Sequence, residues 1–147
     1  MARPVREYFY EVDLSGRLFH DGTELSEPRF LDFFFKRLRD NDTGRFVEYS
    51  FLSPCAGELN FLRARDRPIV FHSLRDNQLV YAAHLEQLLE PGELRVSAAG
   101  RLYHPATVGE YGLLHSRVAL QLGEDIREED GSYVLRRCEQ DYRIRPL

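Results

Sequence analysis

A five-residue pattern, Gly-Arg-Leu-aromatic-His, occurs twice in this chain of 147 residues and constrains its fold more than any other feature. The two copies are Gly16–His20 and Gly100–His104. In each copy, the glycine predicts a turn and the residues after it predict a strand. A helical pattern, an acidic turn ending in glycine and an aromatic strand then follow in the same order. This order predicts an internal duplication with sub-repeats of about 8–90 and 93–147, short of a solenoid, which needs three or more units.

The remaining patterns predict one α+β domain over residues 1–147, with an antiparallel sheet, two main helices and a pseudo-twofold arrangement. The main helices are predicted at Glu27–Arg39, with Ser26 as the N-cap, and at Val108–Leu122; a shorter helix is predicted at His84–Leu89. Strands are predicted at Tyr8–Val12, Arg17–His20, Arg45–Leu52, Glu58–Arg65, Pro68–Ser73, Gln78–Ala83, Glu93–Ala98, Arg101–His104, Glu124–Glu128 and Tyr133–Cys138. The short connections between neighbouring strands favour antiparallel pairing.

Composition and charge exclude several classes of function. The chain is 43% hydrophobic and can bury a sizeable core, but its net charge of −4 argues against nonspecific nucleic-acid binding. Lys36 is the one lysine, so mechanisms that need a buried lysine amine are disfavoured. We find no apolar span and no leader pattern, which predicts no membrane insertion and a reducing, cytoplasmic setting for a bacterial chain.

Several segments in the order found here resemble those of an uncharacterised protein family numbered 0598. They are Gly44–Phe46, Ser53–Cys55, Asn60–Arg63, Asp66–Phe71 and Gly100–Pro105. The resemblance covers roughly residues 8–122, and it departs from the family at Ala64 and in the short region after Ser73. It implies a mitochondrial location for a eukaryotic member, and it supplies no catalytic residues because the family has no established activity.

Arginines on neighbouring strands are the main candidates for ligand binding. Arg63, Arg65 and Arg67 alternate, so a continuous strand would place them on one face, where guanidinium groups could bind a carboxylate or phosphate. The alternative is a solvated face whose arginines pair with nearby acids. The sequence around Arg143 and Arg145 resembles that around Arg65 and Arg67, so the two sets could converge on one groove. The candidate ligand-binding residues are Arg45, Arg63, Arg65, Arg67, Arg143 and Arg145.

Cysteine and histidine give weaker candidates for chemistry. Cys55 would be a reactive thiol only with a base beside it, and His72 is the candidate by strand proximity. A free cysteine is more often a small buried apolar group. His20 is followed by Asp21 and Glu24, but its counterpart His104 has no acids after it, so a structural role explains both copies better than a metal site.

These observations favour a non-catalytic binding or adaptor module that recognises a small anion or a peptide through its arginine-bearing strands. The alternative is a small enzyme that uses Cys55 or a histidine–carboxylate pair. The sequence predicts no cofactor and no metal, and a small anion or a protein as partner rather than nucleic acid or membrane; a homodimer is compatible with it.

Overall fold

A computed structural model describes residues 4–147, and within them the chain forms two α-helices and sixteen β-strands. In the first half these are β1 Arg6–Val12, β2 Leu18–His20, β3 Thr23–Leu25, α1 Pro28–Lys36, β4 Arg39–Asp40, β5 Phe51–Cys55, β6 Glu58–Ala64, β7 Val70–Phe71, β8 Ser73–Arg75, β9 Gln78–Tyr81 and β10 Leu85–Leu88. In the second half they are a 3-10 helix at Pro91–Glu93, β11 Arg95–Val96, β12 Leu102–Pro105, β13 Tyr111–Leu114, α2 Ser116–Gly123, β14 Ile126–Glu129, β15 Ser132–Arg137 and β16 Gln140–Pro146. The predicted α+β class is confirmed.

The strands form three sheets, and two of these are mixed rather than antiparallel. Their orders are β3-β2-β1-β6-β5-β4, β10-β9-β8 and β14-β15-β16-β11-β12-β13-β7. The pairs β1–β6, β11–β16 and β13–β7 are parallel, so the purely antiparallel prediction is wrong. Neighbouring connections are indeed short, but the whole segment from β2 to β5, which includes α1, acts as the crossover that brings β6 back parallel to β1.

The two mixed sheets share one strand order. Read from the other side and without its extra edge strand β7, the second is β13-β12-β11-β16-β15-β14. This is the same arrangement of hairpins around a central parallel pair, with the helix after the third strand in both. Their first turns also match: the N–H of Asp13 donates to the carbonyl of Arg17 at 3.0 Å, and that of Ser97 donates to Arg101 at 2.9 Å. Gly16 and Gly100 occupy these turns with φ of +86° and +84°, a region that favours glycine. The recurrence spans residues 6–64 and 95–146, and β7–β10 lie between.

Both predicted main helices are shorter than expected. α1 ends at Lys36, and its N-cap is Glu27 rather than Ser26, since the Glu27 carboxylate accepts the N–H of Phe30 at 2.7 Å. Helix α2 covers only Ser116–Gly123 of the predicted Val108–Leu122. The segment before it is β13, because its backbone groups are bonded by β12 and β7 on either side, and this tertiary pairing overrides the local pattern.

Two further local predictions are wrong. The predicted helix at His84–Leu89 is strand β10, paired with β9 across a turn in which Ala82 has φ of +53°. The predicted strand at Arg45–Leu52 begins only at Phe51 and runs on to Cys55. The loop before it is fastened by Asn41, whose side-chain amide donates to the carbonyls of Arg45 and Tyr49, both at 2.8 Å. A polar side chain thus satisfies backbone groups that a strand partner would otherwise have taken.

One continuous core joins the two halves. Phe34 of α1 is fully buried, and its carbonyl accepts the hydroxyl of Ser53 on β5 at 2.6 Å, which ties the helix to the first sheet. Phe71 of β7 is also fully buried and packs edge-on against Tyr81 and His104. The large aromatic residues therefore do much of the core filling, as the composition indicates.

Candidate functional site

A cleft of about 680 Å³ lies between α2 and the second mixed sheet. Its floor is apolar and comes from Val96, Leu102 and Ile144, on neighbouring strands. Cross-strand registers place these residues on one face of the sheet. The remaining lining residues are Gly100, Ser116, Ala119, Leu120, Gly123, Glu124, Ile126 and Tyr133. Such a mainly apolar, concave surface is typical of a ligand or peptide site.

The cleft coincides with small residues on α2. When the two helices are aligned at their N-caps, Glu27 and His115, the cleft-lining Ala119 and Gly123 correspond to Leu31 and Phe35 of α1. Both of those larger side chains pack into the core of the first half. We attribute the cleft to the small size of Ala119 and Gly123, because space beside a small residue stays open when the backbone does not collapse onto it.

Two large apolar side chains at the cleft are exposed to solvent. Leu120 is 75% exposed and Tyr133 is 43% exposed, although most large apolar residues of the chain are buried. Exposed apolar surface that borders a concave site is a common mark of an interaction surface.

The cleft continues into a smaller cavity of about 320 Å³ at the seam between the halves. The two share Gly100, Leu102, Ser116 and Ala119, and the far wall is the first-half turn at Leu14 and Ser15. His115 lines this cavity and caps α2, its Nδ1 accepting the N–H of Arg117 at 3.0 Å. Burial, and then the charge of Arg117, lower the pKa of His115, so the capping ring is neutral at physiological pH.

The predicted arginine comb on one strand face is not formed. Strand β6 ends at Ala64, so only Arg63 lies within it, and its guanidinium pairs with Glu11 and stacks over Tyr49. Arg65 is exposed beyond the strand end, where it lines with Arg63 a shallow depression of about 520 Å³. Glu11 and Asp13 line the same depression, so its arginines and acids are balanced in number.

The other candidate arginines are dispersed. Arg45 pairs with Glu7 at 2.6 Å, and Arg67 stacks over Tyr103 and donates to the carbonyl of Gly109 at 3.2 Å. Arg143 and Arg145 lie on the face of β16 opposite the cleft, since they alternate with Ile144. Arg67 nevertheless lies against the sheet face that carries Arg145, because Tyr103 is paired with Arg95 and Arg95 with Arg145. Arg63 and Arg65 line a separate depression.

Arg95 is a candidate that sequence reasoning missed. It lies directly across from Arg145 in the parallel pair β11–β16, and both guanidinium groups approach the carboxylate of Glu93, at 3.6 and 4.0 Å. The equivalent pair in the first half is Glu11 and Arg63, which have opposite charges. The sequence does contain a signal for this position. Arg95 precedes Gly100 by the same interval as Glu11 precedes Gly16, which indicates that the two residues occupy equivalent strand positions.

Cys55 has no imidazole bonded to it. It is partly buried at the end of β5, and both cysteines are free thiols. The ring nitrogens of His72 are instead 2.9 Å from the hydroxyl of Ser73 and 2.8 Å from the carbonyl of Ala82. The Cys55–His72 pair that the enzyme alternative requires is therefore not formed.

Both histidines of the repeated pattern have structural contacts. His104 is 1% exposed; its Nε2 accepts the N–H of Glu90 at 3.0 Å, so Nδ1 carries the proton and donates to the carbonyl of Pro105 at 2.9 Å. Burial lowers the pKa of His104 and keeps the ring neutral. The ring of His20 bonds the carbonyl of Phe9 at 2.9 Å. Within residues 4–147, no three His, Cys, Asp or Glu side chains are grouped to hold a metal ion.

None of the described helices combines the length and the apolar character that crossing a membrane requires. The sequence profile of a domain of unknown function (DUF4505) matches residues 1–141.

Two solved structures are similar to this one. A DUF1285 family protein from Silicibacter pomeroyi DSS-3 has a TM-score of 0.65 and 16% identity, over 97% of this chain and 83% of that chain. A DUF1285 family protein from Shewanella baltica OS155 has a TM-score of 0.61 and 13% identity, over 80% of this chain and 91% of that one. At such identities the likeness shows a shared fold and leaves function to be argued from the site.

Proposed function

Because this chain belongs to the DUF4505 family, a domain of unknown function, we propose its role from its geometry: it is a non-catalytic binding module that holds a peptide segment of a protein partner in the cleft beside α2. The observation that carries this proposal is the apolar cleft of about 680 Å³, opened where Ala119 and Gly123 stand in place of larger residues. The volume lies within the range typical of ligand sites, roughly 300–1,000 Å³.

An apolar side chain is the natural anchor for such a site. Burial of one leucine or phenylalanine side chain contributes about 1.5–3 kcal/mol, enough for a roughly tenfold to hundredfold gain in affinity. Leu120 and Tyr133, already exposed at the rim, would bury further against the partner. An aromatic contact of this kind is typical of residues that dominate binding energy at interfaces.

Filling the cleft is expected to abolish this binding. A displayed library of random peptides is selected on the wild-type protein, and the affinity of an enriched synthetic peptide is measured by fluorescence anisotropy. Ala119→Phe and Gly123→Leu should each weaken that affinity at least tenfold, because the anchor loses its space. The Gly123 variant should fold, since no atom lies within 4 Å of an added Cβ.

Val47→Phe is the matched control, because it adds similar bulk at a side chain that is 78% exposed outside the cleft. It should leave the affinity unchanged. Peptides that bind the filled variants as tightly as the wild type would contradict the proposal.

The shared strand order supports the internal duplication as part of the same proposal. The two halves match in turn geometry, in the central parallel pair and in the position of the helix. On this basis the first half became closed by aromatic residues of α1, while the second half kept an open cleft. The numbered family and the compartment, cytoplasm or mitochondrion, stay predictions that rest on the sequence resemblance.

A small anion on the opposite face of the second sheet is the second candidate function, favoured by Arg95 and Arg145. Like charges directly across a strand pair destabilise a sheet, and the shared Glu93 neutralises only one of them. An added anion would relieve this repulsion, and arginine suits phosphate and carboxylate geometry.

Inorganic phosphate is the probe for this second site, at constant ionic strength. We expect phosphate to raise the melting temperature, and Arg145→Gln to remove at least half of that rise. Arg136→Gln is the control, because Arg136 already bonds Asp141 at 3.1 Å. If Arg145→Gln and Arg136→Gln reduced the phosphate-induced rise in melting temperature equally, the anion site would be rejected. The absence of any such rise in the wild type would also reject it.

A further inference from the structure

The cleft has acidic groups at one end. Glu124 is the one charged residue that lines it, immediately after α2. Glu128 is paired directly with Tyr133, so its side chain is on the same sheet face as the cleft. Both carboxylates are exposed, and within residues 4–147 neither forms a salt bridge.

The other end of the groove has basic groups. Arg101 lines the seam cavity with a side chain that is 47% exposed, and it forms an ion pair with Asp66 at 3.8 Å. Arg117 lies in the first turn of α2, and its charge already lowers the pKa of His115 in the same cavity wall. The helix dipole has the same direction, with its positive end at Ser116 and its negative end beside Glu124. The groove is therefore electrically polarised along α2.

We infer that the partner segment is an extended peptide with an apolar anchor between an acidic and a basic residue. The basic residue pairs with Glu124 and Glu128, and the acidic residue pairs with Arg101. This inference rests on the proposed peptide-binding function and names the chemistry of its partner. It follows from charge complementarity, which sets the orientation of a partner more than its raw affinity.

The length of α2 gives the scale of the distance between the two ends of the groove. A helix of eight residues is about 12 Å long at ~1.5 Å per residue. An extended peptide covers that distance in about four residues, at roughly 3.3 Å each. Residues two and four positions apart in such a peptide are on the same side, so acid, anchor and base can all face the groove. The expected pattern is acid-x-apolar-x-base, or the same pattern in reverse order.

A charge swap tests this inference. Random heptapeptides are selected in parallel on the wild-type protein and on the double variant Arg101→Glu with Glu124→Lys. The wild type should enrich one order of acid and base around the anchor, and the swapped protein should enrich the opposite order. Each single reversal should weaken an enriched wild-type peptide about five- to tenfold in low salt, and the difference should shrink as salt screens the charges.

The control is a swap of an ion pair outside the groove, Arg6→Glu with Glu58→Arg, which should leave the selected pattern unchanged. If peptides bind in a manner sensitive to Ala119→Phe but show no charged pattern, or keep the same order on the swapped protein, the partner chemistry is wrong while the cleft function stands. If no enriched peptide is sensitive to Ala119→Phe, the proposed function itself fails, and this inference fails with it.

Discussion

Replacement of Phe34 by alanine is expected to lower the free energy of unfolding by about 3–5 kcal/mol, the largest effect we predict for a single side chain. Phe34 is 1% exposed, and its ring packs against those of Tyr10, Phe30 and Phe35, with centroids 5.1, 5.9 and 5.2 Å away. Truncation removes the buried ring and leaves a cavity that helix and sheet cannot both collapse to fill. Urea unfolding followed by circular dichroism measures the change.

The neighbouring Phe33 is the matched control, with the same side chain on the same helix. It is 39% exposed, and the Arg37 guanidinium stacks over its ring, 3.5 Å from the centroid. Phe33→Ala should therefore cost about 1 kcal/mol or less, the value of an exposed cation–π contact. Similar losses of unfolding free energy in Phe34→Ala and Phe33→Ala would show that α1 does not bury the face that carries Phe34.

Gly112→Ala is expected to destabilise the protein by about 1–3 kcal/mol, although it adds only one methyl group. A Cβ at Gly112 would lie 2.6 Å from the ring of Phe71 and 3.0 Å from the backbone carbonyl of Ile69. The second of these neighbours is backbone, bonded through its carbonyl to the N–H of Leu113 at 3.0 Å. Relief of this steric overlap therefore requires β13 and β7 to move apart. Thermal and urea unfolding of the variant would measure this cost.

Gly123→Ala is the control, and it should raise the stability rather than lower it. Its added Cβ meets no atom within 4 Å, and the residue is the last of α2. Alanine restricts the unfolded chain more than glycine does and suits a helix better, so this variant should gain about 0.4–1 kcal/mol. A Gly112→Ala protein as stable as the wild type would contradict the close packing of β13 on β7.

The repeated turns and hairpins were predictable because their determinants are local. Gly16 and Gly100 adopt the left-handed conformation that the pattern predicts, and Asp130 and Gly131 turn between β14 and β15 as expected. The first half of the predicted second helix is wrong because Leu113 and Leu114 pair with β7, about 40 residues earlier in the chain. No local pattern in Tyr111–Leu114 records that partner.

The candidate functional sites likewise depend partly on local sequence and partly on long-range contacts. The sequence identified Arg143 and Arg145 as exposed candidates, but it could not reveal Arg95 as the cross-strand neighbour of Arg145, because parallel registers depend on the crossover. The cleft was missed altogether. Its residues come from six separate elements, and its main signal is the small size of Ala119 and Gly123.

Short-range patterns and burial were thus enough to predict the α+β class, the order of turn, strand and helix, and the aromatic core. They could not predict the parallel central pairs, the ion pairs that neutralise Arg45 and Arg63, or the open cleft beside α2. Backbone pairing and empty space depend on which distant segments meet in the folded chain. The Gly-Arg-Leu-aromatic-His pattern fixes each turn but does not specify what packs against it.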